Sequence, residues 1–271
     1  MSELLVFRLF GPFASWGEAA VGEVRPTATR PTRSALLGLL GAALGFEREA
    51  DDAPHLELAG GLRFALRIDS PGLPAVDYHT VNYRKAERKE LIHTRADELR
   101  VRRDLISTAQ SWRHYRSDAI YTVAIVSAGG RFTLAELRDA LERPVFPLSL
   151  GRKSCVLALP LGPAVLEADS LAAAFAAYDR KEAAGLPAWY PSGLSFLRDQ
   201  ECVDVAVDLE FPKELLADFE EVAEKHVVQR RDEILSRRRW RFANRRERVY
   251  TILRRPTKEE TRHVSQPSHS G

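Results

Sequence analysis

Two cysteines, one methionine and no long apolar run leave this 271-residue chain without several common devices. Cys155 and Cys202 do not make a disulfide framework, and neither sits in a CxxC or in a Cys/His cluster at zinc spacing. No metal site and no cofactor are therefore expected. The longest apolar run, Ala35–Leu44, carries two glycines and is too short to span a bilayer. The N-terminal Met-Ser-Glu-Leu-Leu has no basic stretch leading into an apolar one, so no signal peptide is expected. A soluble cytoplasmic protein with no membrane partner follows as the expectation. A GxxxxGK[ST] loop is also missing, which argues against a nucleoside triphosphate.

What is present is charge, unevenly spread. The net charge is only +2, yet Lys and Arg crowd residues 84–103 and 225–255 while 47–57 and 201–224 lean acidic. Basic stripes on a near-neutral protein suggest a directed anionic partner. The alternative is solvated helix faces.

The pattern of elements points to an α+β fold. Residues 3–10 and 61–70 read as strands, and 119–127 is the clearest strand of all. A helix is expected from a Thr32 N-cap to Gly45, with Gly38 and Gly41 each costing about 1 kcal/mol, offset by close packing on a sheet. A second helix at 133–142 opens with a capping box, and strands are expected at Phe146–Leu150 and Val156–Leu161. That order is ferredoxin-like (RRM-like). The palm takes residues 1–202 and is interrupted at 77–117 by a segment with aromatic ends and a charged middle. This segment is read as a protruding β-hairpin thumb. An extended C-terminal region, 203–255, comprises a strand at 203–211, a long helix at 212–238 and an arginine-rich stretch. Arg237–Arg255 alone holds nine arginines among Trp240, Phe242 and Tyr250. Residues 256–271 are polar and expected to be disordered.

Candidate site residues fall in three groups. Arg25, Arg30 and Arg33, with Thr32 and Ser34, surround the N-terminus of the first helix, where free N–H groups and the helix dipole favour an anion. Gly151, Arg152, Lys153 and Ser154 form a tight loop able to hold one phosphate, or else an ordinary polar turn. Trp16, Tyr78, Trp112, Arg113, Tyr115 and Arg116 mix aromatics with cations, which suits single-stranded RNA, and His79 and Thr80 beside Tyr78 are expected to join them in holding it. Core packing and cross-strand pairing are the bland alternatives. His79, His93 and His114 share the thumb segment and raise the possibility of acid–base RNA cleavage, although exposed histidines are more often inert.

Taken together, these motifs resemble the CasD family of CRISPR-associated proteins, within the RAMP superfamily. The resemblance rests on Leu9-Phe10-Gly11-Pro12 with Ser15-Trp16-Gly17, Arg25-Pro26-Thr27, and Pro31-Thr32-Arg33-Ser34-Ala35-Leu36-Leu37-Gly38. It continues through Asp77-Tyr78-His79-Thr80, Trp112-Arg113 with Tyr115, and Leu150-Gly151-Arg152-Lys153-Ser154-Cys155. Arg241-Phe242-Ala243 with Arg245 is a weaker match. The resemblance implies a palm and thumb that hold the 5′ handle of a CRISPR RNA in type I-E Cascade, beside the CasC backbone and the CasA large subunit. Target DNA would be met only through the complex. It also implies a non-catalytic cap, with RNA cut by a separate subunit, CasE. A type I-C relative does cut RNA, so a metal-independent endoribonuclease is the second reading, and a structural adaptor for acidic proteins the third. The charged residues around 84–104 and the 212–238 helix depart from the family pattern.

Overall fold

Leu4, Leu5, Val6, Phe7, Arg8 and Leu9 are all buried, with no polar face between them. A strand reads this way only when both faces of its sheet are covered. The computed structural model describes residues 1–18, 20–47, 51–85, 93–185, 202–222 and 224–253. Its elements run β1 (Ser2–Phe10), β2 (Phe13–Ala14), β3 (Trp16–Gly17), β4 (Val24–Arg25), β5 (Thr27–Ala28), α1 (Arg33–Ala43) and α2 (Ala53–Gly61). Then come β6 (Leu62–Ser70), β7 (Leu73–Arg84), α3 (Arg95–Leu99), β8 (Ile106–Ser117), β9 (Ile120–Ser127) and α4 (Leu134–Glu142). The chain continues with β10 (Ala164–Ala168), α5 (Leu171–Gly185), β11 (Cys202–Asp208), α6 (Ala217–Val222), β12 (Glu224–Ser236) and β13 (Arg241–Leu253).

The main sheet has seven strands in the order β10-β1-β9-β6-β11-β13-β12, every neighbouring pair antiparallel. Its first four are a ferredoxin-like palm, with α1 and α4 as the two helices. Leu5, Phe7 and Leu9 of β1 join Leu36, Leu37 and Leu40 of α1 and Leu137 and Leu141 of α4 in one core. Leu4 and Val6 point the other way, into a core with Phe175 and Tyr178 of α5, Phe211, Leu215, Phe219 and Tyr250. Arg67 of β6 anchors α5 by a two-pronged pair with Asp179 at 2.8–2.9 Å.

Two expectations need correction. The fourth palm strand is Ala164–Ala168, paired with β1, whereas 146–161 contributes only an isolated Ser149–Val156 bridge. Two prolines, Pro147 and Pro160, and the Gly151 turn break that stretch. The expected helix at 212–238 is helical only as far as Val222. Leu215 and Phe219 do share a buried face, as the helical period requires. Beyond them, Val227, Val228 and Ile234 lie in a 13-residue strand, where β-branched side chains are favoured. The tail 256–271 lies outside the described residues.

The added hairpin β12–β13 is tied to the palm by ions. Arg33 donates its backbone N–H to Asp232 at 2.7 Å, and its guanidinium pairs with Glu233 at 2.7 Å and Asp208 at 3.3 Å. Arg245 bonds Asp232 at 2.7 Å, Asp208 at 3.1 Å and Glu247 at 2.8 Å. Arg30 pairs with Glu247, and Arg230 lies 3.7 Å from Glu247 and 3.9 Å from Asp232. Four arginines thus face four carboxylates. Asp208 also accepts from the Phe64 N–H at 2.9 Å; burial pushes its carboxyl up, against the pull of Arg245 and Arg33.

The α1 glycines face neighbours other than a sheet. A Cβ on Gly41 would meet the His55 ring at 3.1 Å, and one on Gly38 the Arg237 guanidinium at 3.2 Å. His55 is buried edge-on to Phe46, and neither ring nitrogen has a hydrogen-bond partner among the described residues. Burial first, and Arg237 second, hold its imidazole below the ordinary 6.5, although Asp52 opposes them.

Two outcomes follow. Asp232→Ala strands the Arg33 N–H and the Arg245 guanidinium, and urea titration should show a loss of about 3–5 kcal/mol. Arg25→Ala, outside the network, should cost less than about 0.5 kcal/mol. His55 stays neutral in the native state while the unfolded chain protonates near 6.5. Its contribution is therefore full above that pH and is lost as pH falls through the depressed native value. The urea midpoint should fall on acidification below about pH 6.5, and His55→Leu should remove that part of the fall.

Candidate RNA interface

β7 and β8 pair residue for residue from Leu73–Ser117 to Arg84–Ile106 without a bulge, forming a ribbon that leaves the palm between β6 and β9. On its inner edge, β8 pairs with β2 at Phe13–Ser117 and with β4 at Val24–Trp112 and Arg25–Arg113. The outer edge of β7 has no strand partner among the described residues. Opposed residues share a face, and successive residues alternate. One face carries Val24, Val76, Tyr78, Thr80, Trp112, His114 and Arg116. The other carries Phe13, Arg25, Asp77, His79, Arg113 and Tyr115.

On the first face Tyr78 is half exposed and packs on Trp112, ring centroids 5.2 Å apart. Arg116 is occupied: its guanidinium donates to the Pro71 and Gly72 carbonyls at 2.7 and 2.6 Å. Thr80 is exposed beyond Tyr78.

The second face meets the loop at Gly151. This glycine has φ +90°, and a Cβ on it would lie 1.9 Å from the Ser15 carbonyl oxygen, so only glycine fits. Ser15 N–H donates to the Leu150 carbonyl at 2.9 Å, which clamps the loop to the segment after β1. The clamp sets the Arg152 guanidinium over the Tyr115 ring, 4.6 Å from its centroid, with Nη2 donating to the Arg25 carbonyl at 3.2 Å. Its Nη1 is buried with no acceptor among the described residues. A buried donor left so costs about 1–3 kcal/mol unless some ligand supplies an oxygen. Lys153 and Ser154 are exposed at the loop tip. No described carboxylate pairs with Arg25, Arg113, Arg152 or Lys153. Cys155 behind the loop is buried, and burial pushes its thiol up, away from reactivity.

Other candidate residues lie elsewhere. Trp16 is 1% exposed and sits edge-on to Tyr121, so no base reaches its ring. Arg30 and Arg33 are held by the buried carboxylates, and Thr32 spends its hydroxyl on the Ala35 N–H and contacts Ser34 Oγ. The helix N-terminus does bind an anion, but the anion is Asp232. Spacing in the hairpin carried a sign of this: Arg230 with Asp232, and Arg245 with Glu247, stand two residues apart, the period of a strand face.

The sheet face that stacks bases in RRM domains is unavailable, because α5 and the 211–219 segment cover it. His79 lies 2.8 Å from Asp77 on the second face, whereas His114 belongs to the first. They stand on opposite faces of the ribbon. His93 is exposed ahead of α3, and no cluster of metal-ligating side chains exists among the described residues.

Residues 4–246 match the family model described as CRISPR-associated protein (Cas_Cas5). The Cascade subunit CasD of Escherichia coli (strain K12) is 37% identical over 173 residues, covering 59% of this chain and 70% of that protein. A solved structure titled as a CRISPR RNA-guided surveillance complex shares the fold at TM-score 0.56 and 24% identity, over 92% of this chain and 89% of that one. Another, titled as the crystal structure of a Cas protein, aligns at TM-score 0.53 and 26% identity, over 92% and 95%. With nine-tenths of its length matched by one family model and a palm, ribbon and clamped loop in the order the motifs require, the chain belongs to the Cas5 family of CRISPR-associated proteins.

Proposed function

We propose that this chain is a CRISPR RNA-binding subunit of a type I-E Cascade surveillance complex, gripping the 5′ handle of the RNA beside the CasC and CasA subunits. One observation carries the reading. Arg25, Arg113 and Arg152 meet at the base of the ribbon with Lys153 exposed on the same loop, none in an ion pair with a described carboxylate (Asp77, opposite Arg113, is paired with His79), while half-exposed Tyr78 stands on the ribbon's other face. A strand of RNA passing around the open β7 edge meets cations for its phosphates on one side and a ring for a base on the other. The subunit holds the RNA and does not cut it, a reading supported by the separation of His79 from His114.

The test uses the assembled complex. Replacing Arg113, Arg152 and Lys153 by alanine should make the log–log salt dependence of RNA retention shallower by about 2, at roughly 0.7 per phosphate contact. It should also expose the 5′ end to exonuclease. Tyr78→Ala should weaken retention by roughly 5- to 150-fold, the range for one lost base stack. Wild-type protection in both variants removes the site. The purified chain should leave a CRISPR repeat RNA intact with or without divalent metal, and site-specific cutting would make it an enzyme.

A further inference from the structure

The turn joining β12 to β13 carries a second cluster of cations that the ribbon site does not use. It reads Arg237-Arg238-Arg239-Trp240 and is flanked by Ser236 and Arg241, which pair across the hairpin. Its backbone is firmly held. Asp52, just ahead of α2, accepts from Ser236 Oγ, from the Arg237 N–H at 2.7 Å and from the Arg238 N–H at 3.0 Å. The Arg239 N–H donates to Ser236 Oγ at 3.0 Å. Those bonds keep the Asp52 carboxyl below its usual range. The turn's backbone is thus held by Asp52 and Ser236, and the exposed Arg238, Arg239 and Arg241 side chains take no part in those bonds.

Three features separate this platform from a solvated turn. First, the inward arginines of the same hairpin, Arg230 and Arg245, are matched by buried carboxylates, whereas Arg238, Arg239 and Arg241 are exposed and pair with no described carboxylate. Like charges this close repel, and nothing in the described fold repays it. Second, Trp240 has φ +53°. The only other described non-glycine residue with positive φ is Asp118, a type that tolerates that region, whereas a bulky aromatic there is an outlier. Such strain is a pointer to function. Third, the strained conformation presents the indole more than half exposed, edge-on to Phe242 and under the Arg237 guanidinium at 4.9 Å.

We propose that this turn is a second nucleic-acid contact, taking a single strand by its phosphates with one base against Trp240. Arginine forks match phosphate oxygens, and a presented indole among them suits an unpaired base. An acidic protein surface would satisfy the arginines but gives no reason to hold an aromatic ring in the left-handed region. The turn packs on Gly38 and Asp52, not on the β7–β8 ribbon, so it addresses a different stretch of nucleic acid from the handle site.

The test measures binding of the full-length chain to fluorescein-labelled oligo-rU and oligo-dT of equal length across a salt series. The triple variant Arg238→Ala/Arg239→Ala/Arg241→Ala is expected to make the log–log slope shallower by about 2, at roughly 0.7 per contact. Its melting temperature should be unchanged, because Asp52 grips backbone groups that alanine keeps. Trp240→Gly, which suits the positive φ, should weaken binding by roughly 5- to 150-fold. The two oligonucleotides decide between RNA and DNA as the strand. Wild-type slope and affinity in both variants overturn the proposal, as does failure of the wild-type chain to bind either strand. Arg113→Ala/Arg152→Ala serves as the internal comparison. If only that pair weakens binding, the ribbon reading stands and the turn is not a site; if only the turn variants do, the reverse holds. Unchanged oligonucleotide binding together with loss of a protein subunit from the assembled complex makes the turn a protein-docking surface and also overturns the proposal.

Discussion

Much of this structure depends on one buried contact, the pairing of Arg33 with Asp232. Asp232 sits where the first turn of α1 needs an anion, and Arg33 answers with both its backbone N–H and, through Glu233 and Asp208, its side chain. Burying eight charges is expensive, and the cost is offset only because every member has a partner and the signs balance. The arrangement is therefore selective more than it is strong. It admits one register of β12 against β13 and one placement of that hairpin against the palm, and it extends a four-stranded sheet to seven.

Covering that sheet on both faces decides where a nucleic acid can lie. An RRM keeps one face open and stacks bases there. Here α5, Phe211 and Phe219 fill that face with apolar packing, and Arg67 nails α5 down through Asp179. What projects from the palm is a ribbon with one open edge, a loop pressed against Ser15, and a turn braced by Asp52. The loop and the turn are each held at the base by hydrogen bonds to a neighbouring segment, with cationic side chains exposed beyond it.

Three of the four palm strands, β1, β6 and β9, are legible in the sequence because they are long, apolar and bounded by glycine or proline, and Thr133 with Glu136 marks α4 plainly; the short β10, five residues, is not. The segment 224–236 was not. Arg230, Arg231, Asp232 and Glu233 in a row hide the alternation that Val227, Val228 and Ile234 carry, and the helical period of Leu215 and Phe219 runs straight into it. That reading also bears on the helix N-terminus: with Asp232 in a helix and Glu247 in an arginine-rich stretch, the sequence shows no internal partner for Arg30 and Arg33, which the structure gives to buried carboxylates. The exposure of Lys153 and the turn that carries Arg152 are readable in the sequence because Gly151 beside them announces a turn. The physics of the helix N-terminus was right, and the identity of its anion was not available locally.

The Arg33–Asp232 bond spans 199 positions of chain, and that separation has a temporal side. A ribosome making about 5–20 residues per second needs roughly 10–40 s to deliver the second partner after the first. For that interval the palm helix exists without its anion and three buried-to-be arginine and aspartate positions stand open to solvent. A chain that stops before β12 thus keeps its Thr32 cap but leaves the Arg33 N–H without Asp232, and leaves β11 without its neighbour β13. The order of synthesis thus separates the two partners: a residue of β12 completes a contact of the first helix.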